Sequence, residues 1–410
     1  MPSLGGGYDR AIPPRRAPRL PPETPKTATL PVGALAGLTA AVTAFALAQG
    51  LSYPLFTFLM QRQGMTPAEI GLSAAMTPLG LILSAMFVPE LVRRLGGRLL
   101  AVIAALSGAL LFFMVGALQN WIAWYLLRFL IGLAINPLYI LGEVWMMALA
   151  PDARRGRIMG IFNAVTGIGY AAGPLTLTLV GTDGWPPLSV AIFGFSACAV
   201  LLFLTTGGLR GFEPDDEGKP ASGIWSFWTL APALLLAVGV SAATQQSAYS
   251  LMPVFGAGYG LEEARLAALI TMLSLGNILL QVPLGFLAER LGARTMIVAC
   301  AALNPACVLS LPLVIEGSLV WPVLLVMGGV GYGVYTMSLV ELGSRFRGQT
   351  LVAGNSAFAL MWGVGGIAGP PGSGAAIQVF GPNGLPMVSA GLSAVLIVFA
   401  IYRAVVRRVS

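Results

Sequence analysis

Two charged residues stand inside a long apolar run, and their spacing decides what chemistry they can share. Arg128 and Glu143 both lie in the stretch 121–148. Fifteen residues apart on a helix, they are separated by about 22 Å at 1.5 Å per residue, too far to pair directly. Asn136, Tyr139 and Glu143 fall at i, i+3 and i+7, which puts them on one polar face of that helix. If the run crosses a bilayer, both charges are costly there and call for a functional reading. A carboxyl withdrawn from water holds its proton more tightly, so Glu143 could bind and release one. The alternative for Glu143 is a structural ion pair with Arg155 or Arg157. For Arg128 the alternative to a functional role is a structural hydrogen-bonding hub.

Other polar residues are spread through apolar runs. They are Gln49, Ser52 and Tyr53, then Thr244, Gln245, Gln246 and Tyr249, then Asn277 and Gln281, Tyr332 and Tyr335, and Asn355 and Trp362. Amides and phenols of this kind can fix a solute by hydrogen bonds while apolar neighbours accept its body. Singly, each serves equally well as glue between helices. Gln245, Gln246 and Tyr249 are the tightest such group.

The sequence argues against other chemistries. It contains no histidine, and Cys198, Cys300 and Cys307 lie in apolar stretches, so neither a metal site nor a disulfide framework is expected. No paired carboxylates suggest an embedded enzyme. No G-x-x-x-x-G-K-[ST] motif supports ATP as the energy source, which leaves a proton or ion gradient and no cofactor. The net charge of +7 is scattered through short loops, not gathered in a stripe, so no nucleic-acid partner is expected.

The elements that must position these residues follow from composition. The chain is 57% hydrophobic and 10% charged, against about 25% charged for soluble domains, so its solvent is mainly lipid. Runs near the ~20 residues needed to cross a bilayer recur throughout. They are expected at 31–59, 67–91, 98–118, 121–148, 157–180, 188–209, 227–255, 265–287, 294–315, 319–341, 350–379 and 386–404. Pro54, Pro78, Pro137, Pro253 and Pro283 fall inside them, and the runs are too continuously apolar for a β-barrel. Twelve spans put 20 of the 23 Lys and Arg residues on the side of both termini, leaving Arg62 and Arg265 opposite. Positive charge marks the cytoplasmic face, so both termini are expected inside.

The spans divide into two similar halves. Leu95-Gly96-Gly97-Arg98 is echoed 196 residues later by Leu291-Gly292-Ala293-Arg294, and Gly173-Pro174 by Gly369-Pro370 at the same offset. Arg155-Gly156 and Arg347-Gly348 are 192 apart. The expected organisation is a disordered cytoplasmic tail at 1–29, a six-helix bundle at 30–210, a cytoplasmic linker at 211–225, and a second six-helix bundle at 226–410. The fold class is thus all-α integral membrane, with a pathway between two pseudo-symmetric bundles.

The stretch Gly285-Phe286-Leu287-Ala288-Glu289-Arg290-Leu291-Gly292-Ala293-Arg294 resembles the signature loop of the major facilitator superfamily, and Pro89–Arg98 is a degenerate copy with Arg93 in the acidic position. Arg128-Phe129-Leu130-Ile131-Gly132 resembles the family's R-x-x-q-G motif, and Gly169-Tyr170-Ala171-Ala172-Gly173-Pro174 its fifth-span motif in antiporters. The resemblance covers about residues 30–405 and is closest to bacterial drug, sugar or metabolite permeases. It implies a gating role for Glu289 with Arg290 and Arg294, for the loop glycines Gly285 and Gly292, and for Arg94 and Arg98 in the first half. It also implies that Arg128 could bind an anionic group or modulate the protonation of an acid, and that spans one, four, seven and ten line the cavity.

The expected function is secondary active transport of a small organic solute by alternating access, proton-coupled, in the bacterial inner membrane, by a monomer embedded in lipid. The fifth-span motif favours antiport; the scarcity of acids favours import of an uncharged or anionic metabolite. A non-transporting sensor on a transporter fold is the alternative.

Overall fold

The computed structural model describes residues 32–151, 154–207 and 227–409; the expected tail and linker lie outside them. Thirteen helices of eleven residues or more order the described chain. They are α1 (Val32–Arg62), α2 (Pro67–Leu95), α3 (Gly97–Ala117), α4 (Trp121–Leu149), α5 (Arg155–Val180), α6 (Trp185–Thr205) and α7 (Pro232–Ala257). There follow α8 (Glu263–Leu279), α9 (Gln281–Leu291), α10 (Ala293–Val314), α11 (Val320–Arg345), α12 (Gly348–Phe380) and α13 (Gly384–Val409). Among the described residues nine helices are long and apolar enough to cross a membrane, and a tenth span follows if α8 and α9 count as one. The helices α7 and α12 fall short on hydropathy because amide, hydroxyl and glycine residues dilute them.

Lipid-facing surface is legible on α3. Leu99, Ile103, Leu106, Leu110 and Phe113, spaced by three or four, are all exposed, while Ala101, Ala104, Ala105 and Phe112 on the other face are buried. An apolar stripe turned outward with small residues turned inward is the pattern expected when lipid replaces water outside and helices pack closely inside.

The expected eighth span, 265–287, is the one that breaks. α8 ends at Leu279, α9 begins at Gln281, and the two are bent by 40°. Pro283 has no N–H to give Leu279, and its ring crowds that carbonyl, so the ladder stops there. Elsewhere Pro54, Pro78, Pro137 and Pro253 sit inside unbroken helices.

Two junctions match. Gly96, at φ +79°, separates α2 from α3 alone, and Gly292, at φ +86°, separates α9 from α10 alone. Both lie in the left-handed region that only glycine enters freely. Within the first six helices α1 packs on α5 and α6, α3 on α6, and α2 and α3 on α4. Among the later ones α7 packs on α12, α11 on α8 and α10, and α13 on α10. Two broad contacts join these sets: α2 with α12 and α5 with α8, supplemented by α1 with α7.

Candidate functional site

The seam between the two sets is sealed at one end. There α2 runs against α12 so closely that a Cβ on Gly71 would overlap the Pro370 carbonyl, and one on Gly374 the Pro67 carbonyl. Thr57 of α1 donates to the Ser250 carbonyl of α7 at 2.6 Å. Arg62, at the end of α1, donates to the Thr182 carbonyl at 2.7 Å, pairs with Asp183 at 3.1 Å, and pairs with Glu263 at the start of α8. Thr182 also donates to Glu263. The α5–α6 junction, α1 and α8 are thus tied by one ionic cluster.

Moving from this end toward the arginine-rich end, exposure rises. Gln49, Tyr53, Gln245 and Tyr249 are buried; Asn136, Tyr139, Gln246, Tyr332, Tyr335 and Trp362 are half-buried; Glu143 and Asn355 are exposed. The expected solute-lining residues therefore form a graded wall, open toward the arginine-rich end.

Its floor is aromatic. Tyr53 of α1, Tyr170 of α5 and Tyr249 of α7 meet with ring centroids 5.6–6.3 Å apart. Tyr170 was not among the expected solute contacts, although it stands in the Gly169–Pro174 motif; the glycines around it drew the reading toward backbone packing. The two adjacent amides part company. Gln245 turns toward α11, its Nε2 donating to the Gly328 carbonyl at 3.4 Å, whereas Gln246 lies beside Gly366 of α12. Gln49 Oε1, Gln245 Oε1 and Asn136 Nδ2 are buried without a partner among the described residues.

Nearer the open end, Tyr332 and Tyr335 of α11 and Trp362 of α12 form a second cluster, with centroids 4.8–5.7 Å apart. Across from it on α4, Tyr139 sets its edge on Phe45 at 4.8 Å. Glu143 lies within electrostatic reach of the hydroxyls of Tyr139, Tyr332 and Tyr335.

Arg128 is 1% exposed, with its guanidinium 4.8 Å from the centre of the Phe56 ring and 3.4 Å from the Ser73 hydroxyl. Among the described residues no carboxylate forms an ion pair with it. It sits toward the sealed end, separate from Glu143.

Glu289 is exposed and makes no ion pair among the described residues; Arg294 instead pairs at 2.5 Å with Glu341 of α11, which also holds Arg345. Packing, not chain proximity, selects the acid, since α10 lies along α11. In the first half Glu90 pairs with Arg93 and Arg94, and Arg98 stacks on Phe203 while donating to its carbonyl. Gly285 lies within α9 in open space and Arg290 closes that helix.

The chain is similar to known proteins in sequence and in fold. The profile of the Major Facilitator Superfamily matches residues 38–273 and 234–409. The chain is 25% identical over 346 residues to the MFS-type transporter YfkF of Bacillus subtilis, covering 81% of this chain and 85% of the relative. It is 25% identical over 340 residues to the MFS-type transporter YcaD of Escherichia coli, covering 82% and 86%. In fold it is similar to the nucleoside transporter NupG, with TM-score 0.72 and 14% identity over 90% of this chain and 99% of that one. It is likewise similar to a bacterial homologue of the lysosomal transporter Spinster in an inward-facing, unoccupied conformation, with TM-score 0.68 and 16% identity over 91% and 96%. With helices that can cross a membrane and a family profile spanning the described helices, the chain belongs to the Major Facilitator Superfamily and is a multi-pass membrane transporter, not an enzyme.

Proposed function

We propose that the protein is a secondary active transporter that moves a small organic solute by alternating access, with twelve spans in two six-helix bundles. In this reading α8 and α9 are one bent span, α7 and α12 cross the membrane despite their dilute hydropathy, and α1–α6 and α7–α13 are the bundles. The paired Gly96 and Gly292 junctions support the repeat, as does the packing of α5 on α1 and of α12 on α7. The arginine-rich end is the cytoplasmic one in a bacterial inner membrane.

The observation that carries the reading is the asymmetry of the seam: ionic and tightly packed at the Arg62 end, graded toward exposure at the Glu143 end. A rocking transporter caught in one state presents such a seam, with the solute site at the level of its floor. Glu143 is the proton carrier in this account. Among the described residues it has neither an ion-pair nor a hydrogen-bond partner, so a proton is free to occupy it. Arg128, sealed beneath Phe56, sets the electrostatics of the floor. Tyr53, Tyr170, Tyr249 and Gln246 provide the floor, and Tyr139, Tyr332, Tyr335, Asn355 and Trp362 the walls of the approach.

Reconstitution in proteoliposomes tests this. With a proton gradient imposed and a solute panel supplied, solute flux should follow the gradient with matched proton movement, and Glu143→Gln should abolish the response. Flux indifferent to the gradient and to Glu143→Gln would remove the coupling assignment and leave a uniporter. Absence of any flux, in protein that binds a solute from the panel, would favour a sensor.

A further inference from the structure

The acids among the described residues are otherwise placed as membrane physics prefers. Glu69 caps α2 through Thr66, Glu90 holds Arg93 and Arg94, Asp183 and Glu263 hold Arg62, Glu341 holds Arg294 and Arg345, and Glu262, Glu289 and Glu316 are exposed at or near helix ends. Glu143 breaks that pattern: it is exposed on the seam face of a membrane helix without a cationic partner. A carboxylate left bare at such depth is expensive and calls for a counter-charge that arrives with function.

What faces it narrows the choice. Tyr332 and Tyr335, within electrostatic reach of Glu143, pack with Trp362 into a half-buried aromatic cluster whose rings are tilted 54–78° to one another, and Tyr139 stands one helical turn from Glu143 on the same face of α4. Aromatic faces attract cations through the ring quadrupole, Trp most strongly. A hard metal ion would need several oxygen ligands, and no cluster of three metal-ligating side chains occurs among the described residues. One unpaired carboxylate beside an aromatic cluster suits a different guest: a single positive charge dispersed over an apolar body.

We infer that the cleft between α4 and the α11–α12 aromatic surface binds monovalent organic cations, amines or quaternary ammonium compounds with apolar substituents, with Glu143 as counter-charge and Tyr332, Tyr335 and Trp362 as the π-surface. The inference rests on the transport reading for its meaning and names the solute class of that same pathway. It reverses the expectation, drawn from the scarcity of acids, that the solute is uncharged or anionic. What counts is not how many acids the chain has but that one stands unpaired before the aromatic surface.

The test uses purified protein in nanodiscs and two probes of the same size and opposite charge, tetraphenylphosphonium and tetraphenylborate, with empty nanodiscs subtracted. Saturable binding is expected for the cation and not for the anion. Glu143→Gln should weaken cation binding about tenfold, and Tyr335→Leu by a factor of about five, while Tyr335→Phe, which keeps the ring, stays within about twofold. Equal binding of the two probes, unchanged binding in Glu143→Gln, or Tyr335→Phe as damaging as Tyr335→Leu would each overturn the inference. So would absence of saturable binding for both tetraphenylphosphonium and the smaller benzyltrimethylammonium. Gradient-driven flux of neutral solutes without cation binding would retain the transport reading and discard this one; cation binding without flux of any solute would do the reverse.

Discussion

Arg62, the last residue of α1, pairs with Glu263, the first residue of α8, across 201 positions of sequence. The two helices belong to different halves of the chain, so this pair can exist only while the seam is closed at that end. Both side chains are about one-third exposed, and such pairs are worth about 1 kcal/mol or less each, enough to shift a conformational balance roughly fivefold without endangering the fold.

Glu263→Gln should therefore open the sealed end more often. Ser250, fully buried near that end with a hydroxyl that lacks a partner, is a suitable reporter once replaced by cysteine. The three native cysteines are buried and give little background. Maleimide should label Ser250→Cys about fivefold faster when Glu263→Gln is added. Asp183→Asn should do much less, because Asp183 is 84% exposed. Equal acceleration by the two changes would mean that the ionic cluster does not hold the seam.

At the opposite end the acid that matters is Glu341. Its side chain is 9% exposed and faces both Arg294 and Arg345. Removing one partner of a nearly buried ionic group leaves the others uncompensated. Glu341→Gln should lower the melting temperature in detergent and slow transport, while Glu289→Gln should change neither. A transport defect in Glu289→Gln as large as that in Glu341→Gln would restore the loop acid to the gating role that the motif implies.

How much of this could be read from the sequence depended on whether the signal was local. The apolar helices and the Gly96 and Gly292 junctions are local patterns, and among the described residues they appear where the sequence pointed. Glu143 stood out because a charge in an apolar run is conspicuous without any partner in view. Arg62, Asp183 and Glu263 could not be joined in advance: they lie 121 and 201 residues apart, and each alone looks like a solvated loop residue. Glu341 escaped for the same reason, near the end of a span where a charge needs no explanation. Tyr170 was hidden by the glycines beside it, and the parting of Gln245 from Gln246 depends on the 100° turn between successive helical residues, which carries neighbours onto different faces.

Arg128 separates a functional from a structural reading by thermal stability. Its charge is buried with an aromatic ring and a hydroxyl for company, and no carboxylate among the described residues pairs with it. A buried charge so weakly compensated costs stability, so Arg128→Met, of similar length and apolar, should melt no lower than the parent protein. Transport should nevertheless fall at least about tenfold if the charge sets the floor's electrostatics, since each 1.4 kcal/mol of barrier is a factor of ten. Arg128→Lys should also lose transport, because an ammonium cannot stack flat on Phe56. A lower melting temperature in Arg128→Met with transport intact would make the residue a structural hub.

The paired junction glycines allow the repeat to be tested without touching the pathway. No neighbouring atom lies within 4 Å of where a Cβ would be built on Gly96, Gly292 or Gly285, so alanine at any of them meets no steric obstacle. Backbone conformation alone then decides the outcome. Gly96 and Gly292, at φ +79° and +86°, should each lose about 1–2 kcal/mol on substitution by alanine, and by similar amounts. Gly285 lies inside α9, where alanine is the better helix former by about 1 kcal/mol, so Gly285→Ala should be neutral or stabilising. Thermal melts of the three single variants in one detergent would show the contrast. Matched losses at Gly96 and Gly292 would mark the two junctions as one device used twice; a loss at Gly285 equal to that at Gly292 would mean that the loop glycines are required for helix contacts during the cycle, not for their dihedral angles.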